Sequence, residues 1–238
     1  MATSQDFMLN VVQGSIFTPE HSGFSSGKAV GTVLASFRDR FDGEMQVLPL
    51  PSEVPPEIPR VILQSGDGQW RLSMAPARID SGWQAKPPAV ALSLESAAGE
   101  CTEVLERYVR ESHVRVGRVG LVVHRTYSVD NPAQTLIQRF CNESSQREPF
   151  NRSESFEVHN HKVYLPRRKD IDYKINSWVR CKSARMIADD SPAILVEQDL
   201  NTLPNETDSR RFEPEQIRAF FEMAALEADE ILRKYFPG

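Results

Sequence analysis

The chain has 238 residues, 40% of them apolar and 26% charged, which is the composition of an ordinary globular protein able to bury a core without staples. A formal net charge of −5 argues against general affinity for nucleic acid or an anionic membrane surface. Cys101, Cys141 and Cys181 are widely spaced and form no CxxC pair, which predicts buried thiols in a reducing cytoplasm rather than a disulfide or zinc framework.

No basic-then-apolar leader opens the sequence and no run of about 18 apolar residues occurs, so a soluble cytoplasmic protein is expected, with no membrane contact. The Asn-x-Ser/Thr triplets at Asn142, Asn151 and Asn205 are then chance occurrences.

In chain order, residues 7–17 alternate loosely around Val11, Val12 and Ile16 and read as a first strand. A turn-like run at 21–27 leads into a helix carrying Val30, Val33, Leu34, Phe37 and Phe41 at helical spacing, closed by Asp42-Gly43. Pro49, Pro51, Pro55, Pro56 and Pro59 lack amide donors and predict an extended linker. Three short strands fit 60–64, 69–74 and 78–83, the first two joined by Ser65-Gly66-Asp67-Gly68 as a hairpin turn.

A second helix fits 95–112, its buried stripe being Ala97, Cys101, Val104, Leu105, Tyr108 and Val109. Glu95, Glu100, Glu103, Glu106, Arg107 and Arg110 lie off that stripe. Residues 117–127, Gly-Arg-Val-Gly-Leu-Val-Val-His-Arg-Thr-Tyr, are rich in β-branched side chains and predict a central strand. Asn131-Pro132 starts a helical turn through 135–140, and a polar loop is expected at 142–152. Strand patterns return at 155–165, 173–182 and 193–200, and a second loop follows at 201–208. Pro214 opens a last helix with Ile217, Phe220, Phe221, Ala224, Ala228, Ile231, Leu232 and Tyr235 on one stripe.

Residues 7–112 and 117–236 therefore share an element order: strand, helical segment, three strands, long helix. The fold class that follows is α+β, with antiparallel sheets backed by helices and two similar halves, 1–113 and 114–238, which could also form one continuous domain.

Pro55-Pro56-Glu57-Ile58-Pro59-Arg60-Val61, then Ser65-Gly66-Asp67-Gly68-Gln69-Trp70, then Arg78-Ile79 and Trp83 resemble a sporadically distributed, uncharacterised prokaryotic family of similar length. Its members continue with a helix and a strand of the form Arg-Ile-Gly-Leu-Arg-Tyr. Arg118-Val119-Gly120-Leu121 matches that strand, while Val122 and Val123 depart from it. The family's closing strand and helix resemble residues 194–199 and 217–236. The resemblance implies no activity. The family's scattered distribution would suit a mobile or defence-linked accessory protein.

Three constellations could carry chemistry. His159 and His161, two apart on a strand with Glu157, face one side and could hold a metal, with His124 or Asp199 as further ligand; a solvent-facing polar strand edge is the plainer account. His124 with Asp130 or Asp199 could pair a base with its orienter, yet no serine or cysteine stands in a nucleophile context. Residues 162–185 hold eight cations (Lys162, Arg167, Arg168, Lys169, Lys174, Arg180, Lys182, Arg185) against Asp170 and Asp172, a local net of +6.

Tyr164, Tyr173 and Trp178 interleave with those cations and would allow stacking beside phosphate contacts. The plainer account is a solvated hairpin that balances the acidic last helix. No phosphate loop or dinucleotide fingerprint occurs; Gly27-Lys28 before the first helix offers only backbone amides.

The expectation from sequence is a non-enzymatic binding or adaptor protein without cofactor that docks a protein partner. Its contact surface would comprise Lys162, Arg167, Arg168, Lys169, Lys174, Trp178, Arg180 and Lys182 with Arg125 and Tyr127 at the end of the central strand. A nucleic-acid-associated factor using the same hairpin is the alternative. A metal-dependent hydrolase at His159 and His161 is the third reading.

Overall fold

A computed structural model describes residues 2–19, 23–51, 53–86, 92–166, 171–186 and 188–238. The strands are β1 (Met8–Phe17), β2 (Met45–Val47), β3 (Val61–Gln64), β4 (Trp70–Met74), β5 (Arg78–Gln84), β6 (Arg118–Ser128), β7 (Glu157–Tyr164), β8 (Ile175–Arg185) and β9 (Pro192–Thr202). The helices are α1 (Ser26–Phe37), α2 (Leu94–Ser112), α3 (Pro132–Phe140), α4 (Glu143–Arg147) and α5 (Pro214–Tyr235). All nine strands join one antiparallel sheet in the order β2-β3-β4-β5-β1-β6-β9-β8-β7.

The fold is the expected α+β arrangement, and the repeat in element order becomes a repeat in space. Outward from β1 come β5, β4 and β3; outward from β6 come β9, β8 and β7. The two halves meet where β1 pairs with β6, so they share a single sheet. Each half adds one element that periodicity does not mark. β2 is a three-residue edge strand, and α4 interrupts the expected 142–152 loop, capped where Ser145 donates its amide to the Asn142 side chain at 2.9 Å.

One layer of helices covers one face of the sheet. α2 and α5 carry the anticipated stripes, and Ala97, Cys101, Val104, Leu105, Phe220, Phe221, Ala224 and Ala228 are all buried. They press so closely on β1 that a Cβ at Gly14 would lie 3.0 Å from Phe221 and 3.1 Å from Leu105. Glu106, expected on the polar side of α2, is buried at the seam with α5. Arg110 and Arg218 neutralise it there at 2.6 and 2.5 Å. A second helix packing beside the first buries residues that a single helical wheel assigns to solvent.

The first helix starts and stops earlier than its apolar spacing suggests. Phe41 stays buried in a following turn, and Asp42 accepts the Gly66 amide at 2.7 Å, tying that turn to the β3–β4 hairpin. Gly68 there has φ 68°, as a tight turn with glycine requires. The proline-rich segment is anchored as well, since Arg60 donates to the carbonyls of Pro51 and Val54 at 3.4 and 3.1 Å. Among the described residues no helix is long and apolar enough to cross a membrane.

Candidate functional site on the uncovered face of the sheet

Successive residues of a strand point to opposite faces. In β9, Ile194, Val196, Gln198 and Leu200 meet the helices and are buried, while Leu195, Glu197 and Asp199 face the other way and stay partly accessible. The same alternation in β8 points Asn176, Trp178, Arg180 and Lys182 away from the helices. No long helix lies against that second face among the described residues.

Strand register assembles the uncovered face into rows. Val122, Asp199, Trp178 and His161 are cross-strand neighbours, as are His124, Glu197, Arg180 and His159, and Gly120, Asn201, Asn176 and Val163. Trp178, 37% exposed, is stacked on the His161 ring at 3.7 Å between centroids and 6° between planes. The His159 ring lies 4.9 Å away on its other flank.

A chain of polar contacts runs across four strands beside this cluster. His161 Nε2 lies 2.6 Å from the Asn176 side-chain oxygen, and Asn176 donates to the Asn201 oxygen at 3.2 Å. Asn201 in turn donates to Asp199 at 2.8 Å and accepts from Arg118 at 2.9 Å. These links fix the rotamers of the polar side chains, so the surface is preorganised.

Three of the eight hairpin cations, Arg180, Lys182 and Arg185, are paired with carboxylates. Arg180 pairs with Glu157 at 2.9 Å and with Glu197 at 3.5 Å, and Lys182 pairs with Glu197 at 3.0 Å. Arg185 pairs with Asp190 at 2.7 Å. Their acids thus come from β7, β9 and the following turn, and not from α5 as the charge pattern alone suggested. Lys162 and Lys174 are exposed. Arg167, Arg168 and Lys169 lie outside the described residues.

Arg125 and Tyr127 do not join the expected contact surface, and this corrects the sequence reading. Both fall on the helix-facing side of β6. The Arg125 guanidinium is 4% exposed and donates to Gln198 and Asp229, and the Tyr127 ring packs on Phe7 at 5.6 Å. Lys162 also shares the helix-facing register of β7, in which Asn160 bonds Tyr235 at 2.8 Å and Tyr164 donates to Glu227 at 3.1 Å. Proximity in sequence had grouped residues that the pleat separates.

The histidines stand apart from the ligands proposed for them. Trp178 lies between His161 and Asp199 in its row, and Arg180 and Glu197 lie between His159 and His124. Among the described residues no three His, Cys, Asp or Glu side chains are grouped to hold a metal ion. Burial lowers His124 below its ordinary value, with Glu197 opposing and Lys182 adding to the effect. Cys101 and Cys181 are buried on the helix-facing side, and burial pushes both thiols up to about 12. Neither is a thiolate at neutral pH.

The chain matches no family model and no curated protein.

Reading by motif missed Asn176 and Asn201 and met Arg118 only within the family resemblance; the three link the face together. The available signal was the polar alternation of the last two strands, with Asn176, Trp178, Arg180 and Lys182 in one and Glu197, Asp199 and Asn201 in the other. That is more one-sided polarity than a strand needs only to meet water.

Proposed function

We propose that this protein is a non-enzymatic docking module that binds a partner protein across the uncovered sheet face, with Trp178 at the centre of the contact. The observation that carries the reading is the exposed Trp178–His161 stack, set among charges that are already paired with one another. A tryptophan held rigid by stacking loses little entropy on binding and supplies a large apolar area, and ordered charge pairs around it form a polar rim. Phosphate binding at Trp178 would need free cations beside it, and the two cations on its own strand face, Arg180 and Lys182, are committed to Glu157 and Glu197. In this reading the protein acts in a prokaryotic cytoplasm as an accessory factor of the kind the family resemblance suggests.

The test is affinity capture with the wild-type chain, a Trp178→Ala variant and a Leu226→Ala control, Leu226 being exposed on α5 on the opposite side of the molecule. A protein captured by wild type and control but lost with Trp178→Ala supports the reading. Capture that ignores Trp178 sinks it. Binding of short DNA or RNA with a steep salt slope, lost in Trp178→Ala, would move the assignment to nucleic acid.

A further inference from the structure

On the uncovered face of the first half, Phe17 of β1 is flanked in register by Arg78 of β5 and Arg118 of β6. Both guanidinium groups lie over its ring, at 5.1 and 4.3 Å from the centroid. The two arginines differ in what neutralises them. Arg78 is paired with Asp80 at 2.7 Å, and Asp80 also accepts from Ser15 at 2.5 Å.

Arg118 donates only to neutral oxygens, the Thr202 carbonyl at 3.2 Å and the Asn201 side chain at 2.9 Å. No carboxylate among the described residues forms an ion pair with it. The nearest acid in its field, Asp199, is itself held by Asn201 at 2.8 Å. Burial pulls the Arg118 guanidinium below its ordinary value, with Asp199 opposing and Arg78 adding to that effect. An arginine nonetheless keeps its proton in proteins, so this is a half-buried cation with no counter-charge in contact.

Charge over the face is also unevenly placed. Around Phe17, strands β4, β5, β1 and β6 present Arg71, Arg78 and Arg118 against Asp80, and Arg71 reaches the Ser73 hydroxyl at 3.3 Å. The outer strands β7, β8 and β9 present Arg180 and Lys182 against Glu157, Glu197 and Asp199. A long polyanion laid across the sheet would meet that acidic end, whereas a short acidic segment would reach only the arginines.

We propose that Arg118, held over the Phe17 ring and oriented by Asn201 and Thr202, receives a carboxylate from an acidic, extended segment of the partner protein. The inference rests on the docking reading and adds the charge and the orientation of the partner. A planar guanidinium fork matches a carboxylate through two parallel hydrogen bonds, and stacking on Phe17 removes much of the rotamer freedom that such a contact would otherwise cost.

The experiment is fluorescence anisotropy at low salt with the full chain and a labelled peptide of alternating Glu and Ser; a Lys and Ser peptide is the control. Wild type should bind the acidic peptide only. Arg118→Gln should weaken that binding about tenfold or more, Arg118→Lys should restore part of it, and Leu226→Ala, on the far side of the molecule, should leave it unchanged. A thermal melt of each variant checks folding. Equal binding by wild type and Arg118→Gln overturns the proposal, as does no binding by wild type. Displacement of the peptide by inorganic phosphate but not by acetate overturns the carboxylate assignment. A partner captured through Trp178 and indifferent to Arg118→Gln overturns this inference while leaving the docking reading intact.

Discussion

Towards the helices, β9 presents Ile194, Val196, Gln198 and Leu200; towards the open side the same strand presents Leu195, Glu197, Asp199 and Asn201. The first set is covered by α3 and α5, and even its one polar member is satisfied, since Gln198 donates to the Ala228 carbonyl at 2.7 Å. In the second set Glu197 and Asp199 stay partly accessible and are held by ion pairs and side-chain hydrogen bonds. Stability is therefore concentrated on one face and recognition chemistry on the other. An arginine shows the contrast directly. Arg125 on the covered face is bound to Gln198 and Asp229, whereas Arg118 on the open face has no carboxylate partner among the described residues.

The largest effect should follow from an aromatic truncation on the covered face. Phe221→Ala, at a site 1% exposed, should cost about 3–5 kcal/mol in urea unfolding, from lost transfer free energy and the cavity left between α5 and β1. Next in size is Asp229→Ala. It leaves the Arg125 guanidinium with Gln198 alone, and a loss of about 2 kcal/mol is expected, less than for a fully buried pair because Asp229 is half exposed. Trp178→Ala should cost about 1 kcal/mol or less, since its ring is already partly in water. If it proved as costly as Phe221→Ala, the open face would be part of the core and the division drawn here would fail.

The smallest effect is a pH dependence from His124. Its folded pKa lies below the ordinary 6.5 because burial disfavours the imidazolium, against the pull of Glu197 and with Lys182 adding to the burial. The unfolded chain then binds this proton more readily, so stability rises with pH across the window between the lowered value and 6.5. The contribution is complete above 6.5 and is lost as pH falls through the lowered value. Urea midpoints at about pH 7.5 and about pH 5 should therefore differ less in His124→Asn than in wild type. An equal slope in both would assign the acid sensitivity to other groups.

Much of the fold was legible before any coordinates. The stripe from Ile217 to Tyr235, the alternation of the later strands, the Ser65-Gly66-Asp67-Gly68 turn and the repeated element order each follow from local periodicity and turn chemistry, and the later strands recur with ends shifted by no more than three residues. β2 and α4 escaped because three- and five-residue elements hold too few positions to show a period. The candidate site was only half legible. Trp178, Arg180 and Lys182 could be grouped from one strand, but Arg125 and Tyr127 were assigned to the same surface when the pleat turns them to the other face.

By itself the sequence determined which residues alternate, where the chain turns and which helix faces are apolar, because these depend on neighbours a few positions apart. Only the tertiary structure decided that β1 and β6 pair, that one face of the shared sheet is covered, and that Arg118, Asn201, Asn176 and His161 form one line. Those contacts join residues far apart in the chain, and their geometry is set by strand register, which no local pattern encodes.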